Sequence, residues 1–201
     1  MKTALIAALL AACATVAYAA CPVPADLDSG IKIEDRAGGV GYYKRRPNGL
    51  IREDYDIEEE EGYWVESVLG VYLTRDGNLK FGEEEPATES RFNHAVPLDQ
   101  LPVPAEGVTW NGEVTLSRQG KPDEIERKTM SVGPETTLTI GKCTYKSFLV
   151  TMITDFADGT DLVGQMHYMP EMGFSFYSGY GSRKDWLTDY YVPRSIEAVA
   201  R

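Results

Sequence analysis

Residues 140–177 read IGKCTYKSFLVTMITDFADGTDLVGQMHYMPEMGFSFY, and this stretch decides the fold. Two long runs rich in β-branched and aromatic residues flank Asp158-Gly159. An Asp-Gly pair between two apolar runs is the strongest short-range signal of a β-hairpin, because both central turn positions need φ > 0. In the second run, Phe174 and Phe176 alternate with glycine and serine, which is the period of two expected of a strand. The stretch predicts two long antiparallel strands.

Three further Asn-Gly or Asp-Gly pairs predict three more tight turns, at Asn48-Gly49, Asp76-Gly77 and Asn111-Gly112. Apolar and aromatic residues flank each pair, so each is interpreted as a hairpin. We therefore predict an all-β protein, with antiparallel hairpins forming a curved sheet, a sandwich or a half-barrel and with little helix. Both faces of the first long run are partly apolar, which leaves these architectures open.

Composition divides the chain into five segments. The stretch at 83–106 carries four prolines and three consecutive glutamates with little periodicity, so we predict a long surface connection between two β halves. The end of the chain is expected to dock its aromatic residues on the sheet and to finish as a frayed helical turn. The segments are a signal peptide at 1–19, an N-terminal β half at 20–82, the Pro-rich connection at 83–106, a C-terminal β half at 107–181 and an aromatic tail at 182–201.

The N-terminus has the pattern of a secretory signal peptide. Lys2 precedes a short apolar run, and Ala17-Tyr18-Ala19 supplies the small residues that cleavage after Ala19 needs. The run is too short for a membrane-spanning helix, which is the main alternative. Lipid anchoring at Cys13 is a second alternative, because Leu-Ala-Ala-Cys has the residue types of an acylation motif. We expect a periplasmic or secreted protein with no transmembrane segment in the mature chain.

The chain is acidic, with 31 Asp and Glu against 20 Lys and Arg and a formal net charge of −11. This charge argues against nucleic acid and against anionic membrane surfaces as partners. An envelope protein, a lipid or a saccharide stays open as a partner. The four glutamates at 58–61 are interpreted as a solvated run that guards a strand end, because side chains that alternate along a strand cannot converge on a calcium ion.

Cleavage after Ala19 leaves two cysteines, Cys21 and Cys143. An oxidising compartment lets such a pair form a disulfide, and two free thiols are the alternative. The bridge closes a loop of roughly 120 residues, for which the chain-entropy relation gives about 4 to 5 kcal/mol. We predict that it staples the start of the mature chain to the 140–177 hairpin.

The sequence offers few groups for nucleophilic or metal chemistry. His94 and His167 are the only histidines, and no Gly-x-Ser-x-Gly motif marks a serine nucleophile. Two histidines and two cysteines without paired spacing do not make a zinc site. Asp155, Asp158 and Asp161 depart from the spacing of a calcium loop. We expect no metal and no cofactor.

An aromatic surplus is the one feature that favours binding. Tyrosine and tryptophan bury a large area while keeping a polar tip, which suits both interfaces and concave linings. The competing explanation is that strands favour aromatic residues in any protein. The candidate ligand-binding residues are Tyr168, Tyr177, Tyr180 and Trp186.

Residues 168–173, Tyr-Met-Pro-Glu-Met-Gly, close a penultimate strand after a turn-rich hairpin. An aromatic residue followed by proline and glycine at this place resembles the ending of the TapB-like group of periplasmic bacterial proteins. The resemblance covers the last part of the chain before the tail. It implies an exported, antiparallel, curved β domain and assigns no activity, and the N-terminal half shows no such likeness.

Three functions stay open on these observations. The first, which the aromatic surplus and the missing nucleophile–base set favour, is a non-enzymatic periplasmic β domain that binds an envelope component or an apolar ligand. The second is a hydrolase that acts through acidic residues or His167. The third is an accessory domain of a larger envelope assembly.

Overall fold

The 140–177 stretch folds as antiparallel strands in the computed structural model, which describes residues 20–56 and 58–199. The predicted signal peptide and the alternative lipid anchor at Cys13 lie outside the described residues. The strands of the described part are β1 Ile31–Asp35, β2 Val40–Arg45, β3 Ile51–Tyr55, β4 Glu61–Val68, β5 Tyr72–Lys80, β6 Glu83–Glu84, β7 Ser90–His94, β8 Thr109–Arg118, β9 Glu124–Ile140, β10 Cys143–Asp155, β11 Asp161–Met169, β12 Phe174–Ser182, β13 Trp186–Tyr190 and β14 Pro193–Ala198. Short 3-10 helices lie at Pro24–Asp28, Pro86–Thr88 and Leu98–Gln100. Within the described ranges, no helix has the length and apolarity needed to cross a membrane.

All of these strands belong to one antiparallel sheet. Its order from one end to the other is β13-β12-β11-β10-β9-β8-β7-β5-β4-β3-β2-β1-β14, and the short β6 branches from β5. The N-terminal and C-terminal β halves therefore share a single sheet, which the sequence had left open. The predicted all-β fold, built from antiparallel hairpins with little helix, is confirmed.

The sheet curls until its two ends lie side by side. Strands β13 and β14 stand at opposite ends of the strand order, yet only Tyr191 and Val192 separate them in the chain. Three chain steps reach at most about 11 Å, so the ends must be neighbours in space. The largest buried cluster supports this curl, because it contains Ile33 from β1, Ile140 from β9 and Phe174 from β12.

The predicted surface connection at 83–106 is wrong in its central part, because Ser90–His94 forms strand β7. This strand pairs with β5 on one side and with β8 on the other, so it joins the two halves of the sheet. Phe92 is buried on it and packs with Val114 and Leu116. A five-residue strand between prolines is too short for its period to be recognised in the sequence.

The predicted frayed helical turn at the end of the chain is also wrong. Residues Pro193–Ala198 form β14, which pairs with β1 and places Ile196 opposite Ile33. Ile196 is buried in the main core cluster, so its alternation with polar neighbours is the period of a strand. Two of the aromatic residues before it, Trp186 and Tyr190, lie in β13, which pairs with β12.

Two of the four predicted hairpin turns are confirmed, and the other two are wrong. Residues 48–49 join β2 to β3 and residues 158–159 join β10 to β11, as predicted. The pairs at 76–77 and 111–112 instead lie inside β5 and β8. The turn between β4 and β5 falls at residues 69–70, where both residues have positive φ.

The glycines of the two wrong turns make room for tryptophan rings. A Cβ added to Gly77 would come 2.8 Å from Nε1 of Trp64, and one added to Gly112 would overlap the ring of Trp110. Glycine inside a strand often marks such a close approach rather than a turn. The turns predicted at these two sites are therefore wrong, because each glycine gives space to a tryptophan ring inside a strand.

The β4–β5 turn packs directly against β12. Ser175 on β12 donates a hydrogen bond from its hydroxyl to the carbonyl oxygen of Gly70. Gly70 has no side chain to hold the two segments apart, and its φ of +72° suits glycine. This contact holds the β4–β5 turn against β12.

Cys21 and Cys143 form the predicted disulfide, with their Cα atoms 5.5 Å apart. Cys143 is buried in the main core cluster, and Cys21 packs against the same cluster. The hydroxyl of Tyr145 donates to the carbonyl oxygen of Pro22 at 3.2 Å, so a hydrogen bond accompanies the bridge. A disulfide of this kind indicates an oxidising, exported compartment.

Candidate functional site

One row of side chains crosses five strands on the face of the sheet that lies under β12. Residues directly opposite each other in neighbouring strands point to the same face. Glu53 on β3 lies opposite Val65 on β4, which lies opposite Asp76 on β5. Ser90 on β7 and Arg118 on β8 continue the row. The row places the carboxylates of Glu53 and Asp76 on one face of the sheet. Two strand spacings separate the two residues, which is roughly 10 Å between their backbones.

Tyrosine rings surround this row. Tyr63 stands on β4, Tyr177 and Tyr180 come from β12, and Tyr191 belongs to the link between β13 and β14. The rings of Tyr180 and Tyr191 have centroids 6.2 Å apart. The curl of the sheet therefore brings residues that are more than a hundred positions apart in the sequence onto one cleft.

A bulge in β12 explains why two of these tyrosines share a face. In a regular strand, Tyr177 and Tyr180 would point to opposite faces, because their separation is an odd number. Met166 on β11 pairs with Tyr177, but Gln165 pairs with the residue after Ser178. Ser178 is left unpaired, and an extra residue of this kind reverses the alternation that follows it. Both tyrosines therefore line the same cleft.

The cleft between the row and the tyrosines has a volume of about 640 Å³. This lies within the range of roughly 300–1,000 Å³ that is typical of small-molecule sites. Leu73 and Leu162 add apolar surface, and Asn78 and Arg118 add polar groups. A smaller cavity of about 30 Å³ adjoins it and shares Glu53 and three of the tyrosines.

Glu53 is the most strongly perturbed acid of the cleft. Burial is the largest cause and raises the pKa of Glu53 from 4.5 to about 7, and the negative charge of Asp54 acts in the same direction. The hydroxyl of Tyr43 opposes this shift by donating a hydrogen bond to Oε1 of Glu53 at 2.8 Å. Glu53 therefore exchanges its proton near neutral pH.

Asp76 is the second acid of the cleft, and burial raises its pKa as well. A hydrogen bond from Ser90 and the positive charges of Arg118 and Lys128 oppose the rise by favouring the ionised form. Both carboxylates of the row are thus partly withdrawn from water. Perturbed acids in a concave, aromatic-lined site are the usual mark of a functional site.

The structure brings together two of the four predicted ligand-binding residues. Tyr177 and Tyr180 line the cleft. Tyr168 is instead 3% exposed in a core cluster, and Trp186 is 48% exposed on β13. The sequence did not single out the two carboxylates, because only the cross-strand register shows that they share a face.

No family model, curated protein or solved structure matches the chain. The resemblance of residues 168–173 to TapB-like proteins therefore stays a prediction.

His167 and His94 are not among the residues that line the cleft. Nδ1 of His167 lies 3.3 Å from the hydroxyl of Ser147, and its ring packs on Phe176. Ser147 is fully buried, so its hydroxyl is closed to a substrate. Nε2 of His94 lies 2.7 Å from the carbonyl oxygen of Leu73. Burial lowers the pKa of both histidines, which favours their neutral forms.

Proposed function

We propose that this protein is an exported, non-enzymatic β domain that binds a small ligand in the tyrosine-walled cleft. The observation that carries the proposal is the cleft of about 640 Å³ with four tyrosine rings around it. Tyrosines offer a large apolar area together with hydroxyl groups, which suits an apolar or saccharide component of a cell envelope. The buried Cys21–Cys143 disulfide supports a periplasmic or secreted location.

Filling the cleft with a bulky side chain should abolish ligand binding. Leu162 lines the cleft and is 37% exposed, so Leu162→Trp adds an indole to the cleft without disturbing the core. We expect the neutral fluorophore N-phenyl-1-naphthylamine to bind the native protein and to bind Leu162→Trp at least about tenfold more weakly, the equivalent of 1.4 kcal/mol. Fluorescence titration measures both affinities.

The matched control is Ile125→Trp. Ile125 is also an exposed apolar residue on a strand, and it does not line the cleft. This variant should bind the fluorophore as the native protein does. Equal binding by both tryptophan variants, or no binding by the native protein, would remove the support for a ligand site in the cleft.

A hydrolase that uses acidic residues is the second candidate, and the pair of carboxylates favours it. A carboxyl group with a pKa of about 7, such as that of Glu53, suits a general acid. The row separates Glu53 and Asp76 by roughly 10 Å of backbone, and inverting glycosidases hold their carboxyls about 6.5–9.5 Å apart. Release of 4-nitrophenol from a panel of 4-nitrophenyl glycosides, lost in both Glu53→Gln and Asp76→Asn, would establish this candidate over simple binding.

A further inference from the structure

The carboxylates of the cleft differ from those on the opposite face of the same strands. On that opposite face, Asp54 lies 2.6 Å from Arg52, and Glu66 lies 3.3 Å from Arg75. In the cleft, Glu53 accepts a hydrogen bond from a tyrosine hydroxyl, and Asp76 accepts one from a serine hydroxyl. Neutral donors do not cancel a negative charge. Within the ranges that the structure describes, neither cleft carboxylate forms an ion pair.

The basic groups whose charges act on Asp76 already have partners of their own. Arg118 lies 3.1 Å from the carboxylate of Glu124, and Lys128 lies 2.8 Å from that of Glu126. Their fields favour the ionised form of Asp76, but their charges are balanced locally. The row that holds Glu53 and Asp76 therefore keeps an excess of negative charge, in a protein that is acidic overall.

The walls suit an organic cation better than a metal ion. The face of a tyrosine ring is negative and attracts an ammonium group within about 6 Å of its centre. A calcium ion needs six or more oxygen ligands that converge on one point, whereas Glu53 and Asp76 stand two strands apart. Among the described residues, no group of three potential metal ligands comes together.

We propose that the cleft selects ligands that carry an organic ammonium group, held by the negative charge of Glu53 and Asp76 among the rings of the four tyrosines. This inference rests on the proposed ligand-binding function and names the chemical class of the ligand. The cation replaces the missing basic partner of the two carboxylates, and the tyrosine faces surround its apolar substituents.

Three probes of the same shape test the charge preference. Choline is a cation, 3,3-dimethyl-1-butanol is its neutral counterpart, and 3,3-dimethylbutyrate carries a negative charge. Calorimetric titration of the mature protein at about pH 8, where Glu53 is ionised, should give an affinity for choline at least about tenfold above that for the neutral probe. The anion should bind least. Leu162→Trp should abolish choline binding.

The variant Glu53→Gln isolates the contribution of the charge. Glutamine keeps an oxygen that accepts the hydrogen bond of Tyr43, so the fold should be retained. We expect this variant to lose most of the preference for choline over the neutral probe. Glu113→Gln is the matched control, because Glu113 is an exposed glutamate whose side chain pairs with Arg127 outside the cleft.

Each outcome decides for or against the ammonium preference. A choline preference that disappears in Glu53→Gln and persists in Glu113→Gln supports it. Equal affinity for choline and the neutral probe overturns it, and so does the absence of choline binding at millimolar concentration. The fluorophore titration with Leu162→Trp reports separately on the cleft, so the ammonium preference can fail while the proposed binding function stands.

Discussion

Replacing Cys21 and Cys143 together by alanine is expected to lower the free energy of unfolding by about 4 to 5 kcal/mol. The two residues are 122 positions apart in the sequence, so the bridge removes much of the conformational freedom of the unfolded chain. It also ties the start of the described chain to the first residue of β10. Urea unfolding, followed by tryptophan fluorescence, measures the difference in the free energy of unfolding between the native protein and the double alanine variant.

Reduction of the native protein is the control for this substitution. If the bridge acts mainly by restricting the unfolded chain, the reduced protein and the double alanine variant should lose similar stability. A loss below about 1 kcal/mol in both would mean that the bridge does not restrain the unfolded chain as the loop-entropy relation requires. A large loss in the alanine variant alone would assign the effect to the packing of Cys143, which is 1% exposed.

The substitution Gly70→Ala is expected to cost about 2 to 5 kcal/mol of stability. An L-residue at positive φ costs roughly 1–2 kcal/mol, and overpacking a tight contact costs about 1–3 kcal/mol more. A Cβ on Gly70 would lie 2.6 Å from both the backbone nitrogen and the backbone oxygen of Ser175. Because backbone cannot rotate away, β12 or the β4–β5 turn has to move.

Gly120→Ala separates the two causes of this loss. Gly120 has the same φ of +72°, and nothing lies within 4 Å of its added Cβ. Gly120→Ala should therefore lower the free energy of unfolding only by the cost of the backbone conformation, about 1–2 kcal/mol. Thermal or urea unfolding of both variants gives the comparison. Equal losses would show that the turn at Gly70 does not touch β12 and that the sheet is less tightly curled.

The sequence revealed the hairpins because glycine and the period of two are local signals. It failed where one residue type serves two purposes. At Gly77 and Gly112, glycine gives space to an indole, and only the neighbour across or along the strand distinguishes this from a turn. For Gly112 a hint existed, because Trp110 stands two positions earlier and so points to the same face. For Gly77 the partner is on another strand, which the sequence does not show.

The cleft was accessible to sequence analysis only in part. Tyr177 and Tyr180 were predicted from aromatic content, but their common direction depends on the bulge at Ser178. Glu53 and Asp76 meet on one face because of the register across β3, β4 and β5. Cross-strand register is set by loops and by packing, so a single sequence gives no direct measure of it.

Glu53 also links the cleft to the pH dependence of stability. Its pKa in the native protein is raised to about 7 from 4.5, so the folded state holds the proton after the unfolded chain has lost it. The contribution of Glu53 to stability is therefore lost as the pH rises through the window between these two values. The substitution Glu53→Gln removes this dependence.

The pKa of Glu53 in the native protein tests the existence of the cleft most directly. Carbon-13 NMR of the side-chain carboxyl groups follows this titration, and the signal that disappears in Glu53→Gln identifies the residue. We predict a pKa of about 7, because the tyrosine-walled cleft withdraws Glu53 from water. A pKa near the ordinary value of 4.5 would contradict this account, since burial in the cleft would then not govern the ionisation of Glu53.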